Sequence, residues 1–185
     1  MPQNQRQQAM YVSTGNPETV DDSRLVNPGQ LGRHVTVKQP GVPGSPGVES
    51  YRDKTYRYIR TDSTMTVAPF AGAVAWWADK AQFLVTTSAA NRGARAGVFQ
   101  NAVTKGNYGY IQTAGPATTK FVDAPVNAPN VAGLNVIPSA TAGKADCLAA
   151  GSAPIYPALG TIALTPTYNA ADMTAVVELD IPDTP

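Results

Sequence analysis

The chain holds a single cysteine, Cys147, and a single histidine, His34, among its 185 residues. One cysteine excludes any intrachain disulfide framework, and its expected place is as a small buried hydrophobe. One histidine makes every Ser/His/Asp or Cys/His arrangement depend on His34, a residue in an arm-like stretch. Charge is scarce too, at 15% Lys, Arg, Asp and Glu, against about a quarter in an ordinary soluble domain. With 14 basic residues against 13 acidic ones, the net charge is +1 and no basic stripe marks a nucleic acid or an anionic membrane as partner. The longest mainly apolar run, Ala68 to Ala78, is too short to span a bilayer and is broken by Pro69 and Gly72. The residues Met1 to Gln8 lack the apolar centre of a signal peptide, so a soluble, non-secreted chain is expected.

Metal and nucleotide motifs are also missing. No HExxH, CxxC or EF-hand loop occurs. "PSATAGKAD" fails as a P-loop, because Pro138 stands where the first glycine belongs and Ala145 follows Lys144. The glycines of "GNYGYIQTAG" sit inside an alternating strand rather than between a strand and a helix, so the dinucleotide fingerprint fails as well. The carboxylates are dispersed. Glu178 and Asp180 form the one same-face pair on an expected strand, a pattern that suits a solvated face. No cofactor, no metal and no enzymatic activity are expected.

What is present reads as β-structure. Residues 1–50 are rich in Gln, Asn, Pro and Gly, and are expected to form an extended N-terminal arm and a loop. Within it, Arg33 to Lys38 alternates Val35 and Val37 with polar residues, as a strand does. The stretch Gly41 to Glu49 places glycine at every third position, an arrangement that suits an extended polyproline-like linker.

Residues 51–185 are expected to be a single β-rich domain. Strands are expected over 55–61, 82–87, 119–126, 133–139, 160–166 and 175–182, from β-branched and aromatic enrichment bounded by turn residues. "GAVAWWA" at 72–78 fits either a strand or a helical turn. "AGVFQNAV" and "YGYIQTAG" flank "TKGN", a hairpin signal with Gly106 and Asn107 in the turn and Gly115-Pro116 ending the second strand. The alanine-rich 141–151 is the best short-helix candidate, with Gly151 as terminator. The expected fold is mainly β, an antiparallel β-sandwich or a small, partly open β-barrel carrying the N-terminal arm.

The residues singled out as a candidate interface are aromatic: Tyr56, Tyr58, Trp76, Trp77, Tyr108 and Tyr110. Aromatic side chains dominate cores and subunit interfaces alike, and they also build glycan platforms.

Two stretches carry a resemblance. Ala96-Gly97-Val98-Phe99-Gln100-Asn101-Ala102 followed by Gly106-Asn107-Tyr108-Gly109-Tyr110-Ile111-Gln112-Thr113-Ala114-Gly115 resembles an "aGvalna…aGdYgyiqtsG"-like hairpin of the capsid cement or decoration proteins of tailed bacteriophages. The resemblance extends over residues 51–117 and leaves 118–185 unmatched. It implies a virion structural protein on the capsid exterior that binds the major capsid protein, self-associates as a homotrimer, and staples neighbouring capsid subunits non-covalently. The alternatives are a phage tail or baseplate component, and a glycan- or receptor-binding β module using the aromatic face around Tyr108 and Tyr110.

Overall fold

The computed structural model describes residues 31–37, 53–148, 152–163 and 168–182. Ten strands occur among them: β1 (His34–Val37), β2 (Lys54–Thr61), β3 (Val74–Asp79), β4 (Leu84–Thr86), β5 (Arg95–Val98), β6 (Tyr108–Lys120), β7 (Asn135–Pro138), β8 (Ala145–Cys147), β9 (Gly160–Ile162) and β10 (Thr174–Asp180). A 3-10 turn, Ala89–Asn91, is the one helical element among these residues. It starts at Ser88, whose hydroxyl accepts from the Ala90 amide.

The chain is mainly β, and β6 organises it. Its first half pairs antiparallel with β2, with Tyr58 opposite Tyr110 and Arg57 opposite Ile111. That pairing closes a ring through β2, β4, β3, β5 and β6, a five-stranded barrel with no open seam. The barrel interior holds Ile59, Ala75, Trp77, Val85, Ala96, Phe99, Val103 and Ile111. Each large side chain removed from water there, Phe99 for example, stabilises the fold by roughly 1.5–3 kcal/mol.

The second half of β6 pairs instead with β10, from Ala114 opposite Asp180 to Lys120 opposite Thr174. From β10 the sheet continues through β9 and β7 to β8. It curls until Phe121, just past β6, bridges Ala145 of β8. Val74, Trp76 and Val98 line the outer wall of the barrel, and they pack with Phe121, Leu159, Ile162, Val177 and Leu179 of this curled sheet. The adjacent Trp76 and Trp77 therefore enter different cores, because successive strand residues point to opposite faces.

Gly115 is where β6 passes from one partner to the other. Its φ is +81°, and a Cβ placed on it would lie 2.5 Å from the Asp53 carbonyl oxygen. The ladder with β2 is bulged beside it, between Thr55 and Tyr56, and a bulge bends the strand that carries it. Pro116 brings no N–H, yet the strand continues. The fully buried Gln112 side chain donates to the carbonyls of Ala114 and Pro116, both at 3.0 Å, and satisfies acceptors at the bend.

Several expectations need correcting. The barrel is closed, not partly open, and β2 pairs with β4 in parallel, so the sheet is not wholly antiparallel. Gly115-Pro116 bends β6 rather than ending it. Gly106 and Asn107 do turn the chain, with the Asn107 amide donating to the Thr104 carbonyl at 3.0 Å, but the connection from β5 to β6 runs over residues 99–107 rather than four residues. The strand expected at 119–126 stops at Lys120.

The helix expected at 141–151 is absent from its described part. Gly143, at φ +68°, breaks the helical path, and Ala145 and Cys147 turn inward around the outward Asp146 as β8. Of the 72–78 segment, residues 74–78 are strand, within β3, and Gly72 lies in the turn before it. Of the arm expected at 1–50, residues 31–37 form β1 and its lead-in, with the Gly32 amide on the Tyr58 carbonyl at 2.8 Å. The remainder, including the Gly/Pro-rich loop, lies outside the described residues, as does Gly151.

Candidate functional site

The aromatic set expected at an interface divides between three clusters inside the chain. Tyr56, Tyr58 and Tyr110 are at most 7% exposed and pack with Leu31, Val35, Val37 and Tyr108 where β1 crosses the outer wall of β2 and β6. Tyr58 stacks on Tyr108 with ring centroids 5.9 Å apart and meets Tyr110 at 5.2 Å, tilted by 57°. Trp76 belongs to the curled-sheet core and Trp77 to the barrel interior, where Phe83 meets it edge-on at 6.4 Å.

Five of the six candidate residues are thus buried within this chain, and only Tyr108 keeps an accessible surface. The reason is that β2 and β6 are covered on both faces. A tyrosine stripe on such a strand reads from sequence like a surface stripe. Tyr108 lines a cleft with Leu31, Arg60, Gln82, Phe83 and Leu84, and the Arg60 guanidinium lies 5.9 Å from its ring centroid. Burial pushes the Tyr110 phenol above its ordinary pKa, with the charge of Arg33 opposing.

His34 and Arg57 face each other across the β1–β2 ladder. Arg57 is only 5% exposed, its guanidinium sits 5.5 Å from the Trp77 ring centroid, and its Nε donates to His34 Nε2 at 2.9 Å. An arginine can only donate, so Nε2 must carry the lone pair and the ring is neutral in this arrangement. Desolvation first, and the neighbouring Arg57 charge second, hold the His34 pKa below its ordinary value. Sequence reasoning missed Arg57. Its signal was an arginine alternating in step with the buried Ile59.

Cys147 is buried in the curled-sheet core, far from His34 in the topology. Burial, then the charge of Asp146, push its thiol up to about 12, so it is no nucleophile at neutral pH. Glu178 and Asp180 line the rim of a cleft of about 640 Å³, with Asp53, Arg95, Asn135 and Thr161. Arg95 donates there to the Ala158 carbonyl, which anchors the chain before β9. Such a cleft can hydrogen-bond a polar ligand, but it contains neither the histidine nor the cysteine. Among the described residues no cluster of His, Cys, Asp and Glu is arranged to hold a metal ion.

No protein-family model matches the chain, and neither curated proteins nor solved structures show a match to it.

Proposed function

We propose that the chain is a virion structural protein that binds the outer surface of a tailed-phage capsid and stabilises the shell by stapling neighbouring subunits without covalent bonds. The observation that carries this reading is where the resembling segment lies. Residues 96–115 make up most of β5, the 99–107 connection and the first half of β6, the frame that joins barrel and curled sheet. A motif used as framework, in a chain with so few charges, suits a protein whose work is mechanical and adhesive rather than catalytic. The Gln-, Pro- and Gly-rich N-terminal sequence is proposed as an arm that adds to a neighbour's open sheet edge, gaining affinity from backbone hydrogen bonds. A homotrimer would multiply such modest contacts by avidity.

The test is recruitment. Purified protein is added to capsids assembled without it. Saturable co-sedimentation and a raised temperature of shell disruption are expected, and shells that recruit none of it refute the reading. Electron microscopy of labelled virions separates this head location from a tail or baseplate position.

A glycan-binding reading now rests on Tyr108 alone among the six aromatics, with Arg60 and Gln82 beside it. Glycan binding lost in Tyr108→Ala, with the fold intact, would favour it over capsid attachment.

A further inference from the structure

Loops that cross a protein surface ordinarily put polar residues in water. Between β8 and β9 the chain does the opposite. Ala153, Pro154, Ile155 and Pro157 are exposed and Tyr156 is half-buried, five consecutive apolar residues on one loop. Ile155 is 90% exposed, against 70% for Val126 and 54% for Val131, the other exposed large hydrophobic side chains among the described residues. Single hydrophobic residues scattered over a surface are common, but an exposed run of this length marks a site of contact.

The loop is held on both flanks. The Arg92 guanidinium lies 4.8 Å from the Tyr156 ring centroid, and the same ring lies against Gly93, 3.9 Å from the position a Cβ would take there. On the other flank Arg95 donates to the Ala158 carbonyl. The segment that carries these arginines is itself tied to β3. The Trp77 amide donates to the Ala94 carbonyl at 2.7 Å, and the Asn91 side chain donates to the Trp77 carbonyl at 3.2 Å. Pro154 and Pro157 fix φ on either side of the bend at Ile155 and Tyr156. A loop already ordered in the free protein loses little further freedom when it binds. Ile155 therefore projects from a stiff base, as the anchor residue of an interface does.

We propose, resting on the capsid attachment argued above, that the 153–157 loop is a docking knob that carries Ile155 into an apolar pocket on the capsid surface. A knob of this size is a fraction of the roughly 20–30 residues a side that hold a stable pair of proteins together. Alone it would release a single partner readily, a second copy of this chain included. On a shell the same weak contact recurs from subunit to subunit, and the contacts of one oligomer add through avidity. That repetition favours the capsid over self-association as the knob's partner.

The test compares Ile155→Asp, Ile155→Leu and Val131→Asp with the wild type, each shown to be folded by circular dichroism, in co-sedimentation with capsids assembled without the protein. Ile155→Asp should weaken binding about tenfold or more, the loss expected of a central anchor. Ile155→Leu should bind within a few-fold of the wild type, and Val131→Asp, which puts the same charge on another exposed hydrophobic position, should bind as the wild type does. Equal binding of Ile155→Asp and the wild type overturns the knob and leaves capsid attachment standing. An equal loss in Val131→Asp assigns the effect to charge and overturns it as well. Analytical ultracentrifugation without capsids covers the other occupant: a lower oligomeric state in Ile155→Asp than in the wild type places the knob between copies of this chain and overturns the capsid pocket. Shells that recruit none of the wild type overturn the attachment and the knob together.

Discussion

Replacing Gly115 by alanine tests whether the bend of β6 depends on glycine for both its backbone angle and its closeness to β2. At φ +81° an L-residue costs roughly 1–2 kcal/mol. The new Cβ would sit 2.5 Å from the Asp53 carbonyl oxygen, a backbone atom that cannot swing aside, and relieving such overpacking costs roughly 1–3 kcal/mol. A less flexible unfolded chain returns roughly 0.4–1 kcal/mol. The net is a loss of about 3 kcal/mol, a large share of a domain stability of roughly 5–15 kcal/mol.

Two companion variants separate the terms. Gly133, at φ +77°, has nothing within 4 Å of its Cβ position, so Gly133→Ala carries backbone strain alone and should cost about 0.5–1 kcal/mol. Gly97 lies outside the left-handed region, but its Cβ would meet the Gln112 carbonyl oxygen at 2.7 Å and Ile111 Cβ at 3.0 Å. Crowding alone should make Gly97→Ala cost about 1–2 kcal/mol. Urea unfolding at constant m-value measures all three, and Gly115→Ala should lower the midpoint by about 1–2 M. A Gly115→Ala cost at or below that of Gly133→Ala would refute the double role of the bend.

Two other outcomes are expected. Trp76→Phe leaves Trp77 as a fluorescent reporter of the barrel, and Trp77→Phe leaves Trp76 as a reporter of the curled sheet. Each variant's fluorescence and far-UV circular dichroism should give coincident unfolding curves, because β6 belongs to both parts, whereas a fluorescence transition separated from the circular dichroism would show that the parts unfold independently. Cys147, with its thiol pushed up to about 12, exposes roughly one thiolate in thirty thousand at pH 7.5, so a disulfide reagent should label it only as fast as the chain unfolds. Stoichiometric labelling of the folded protein within minutes would contradict its burial.

Much of the β-structure was legible in the sequence, because strand propensity and turn residues act locally. β2, β7, β9 and β10 follow from β-branched and aromatic residues between prolines and glycines. The errors share a cause in long-range pairing. Gly115-Pro116 has the composition of a strand end, and only the arrival of β10 and the reach of Gln112 keep that strand going. Residues 141–151 have alanine enough for a helix, yet the pairing of Ala145 and Cys147 with β7 overrides that weak preference. The aromatic set was visible as a set, but its destination was not. Alternation shows that two faces differ, and it cannot show that both will be covered. Arg57 shared the alternation of Ile59, but that signal was outweighed because an arginine on a strand is ordinarily a solvated residue.

The continuity of β6 has a mechanical meaning. Most two-part proteins pass force between their parts through side-chain contacts, which can slide or peel. Here tension applied to the barrel reaches the curled sheet along an unbroken polypeptide backbone. The seven paired positions between β6 and β10 then resist as a ladder sheared along its length, with its rungs strained together instead of one after another. Gly115 is the hinge pin of that beam, and stiffness of the whole chain depends on how little it can turn.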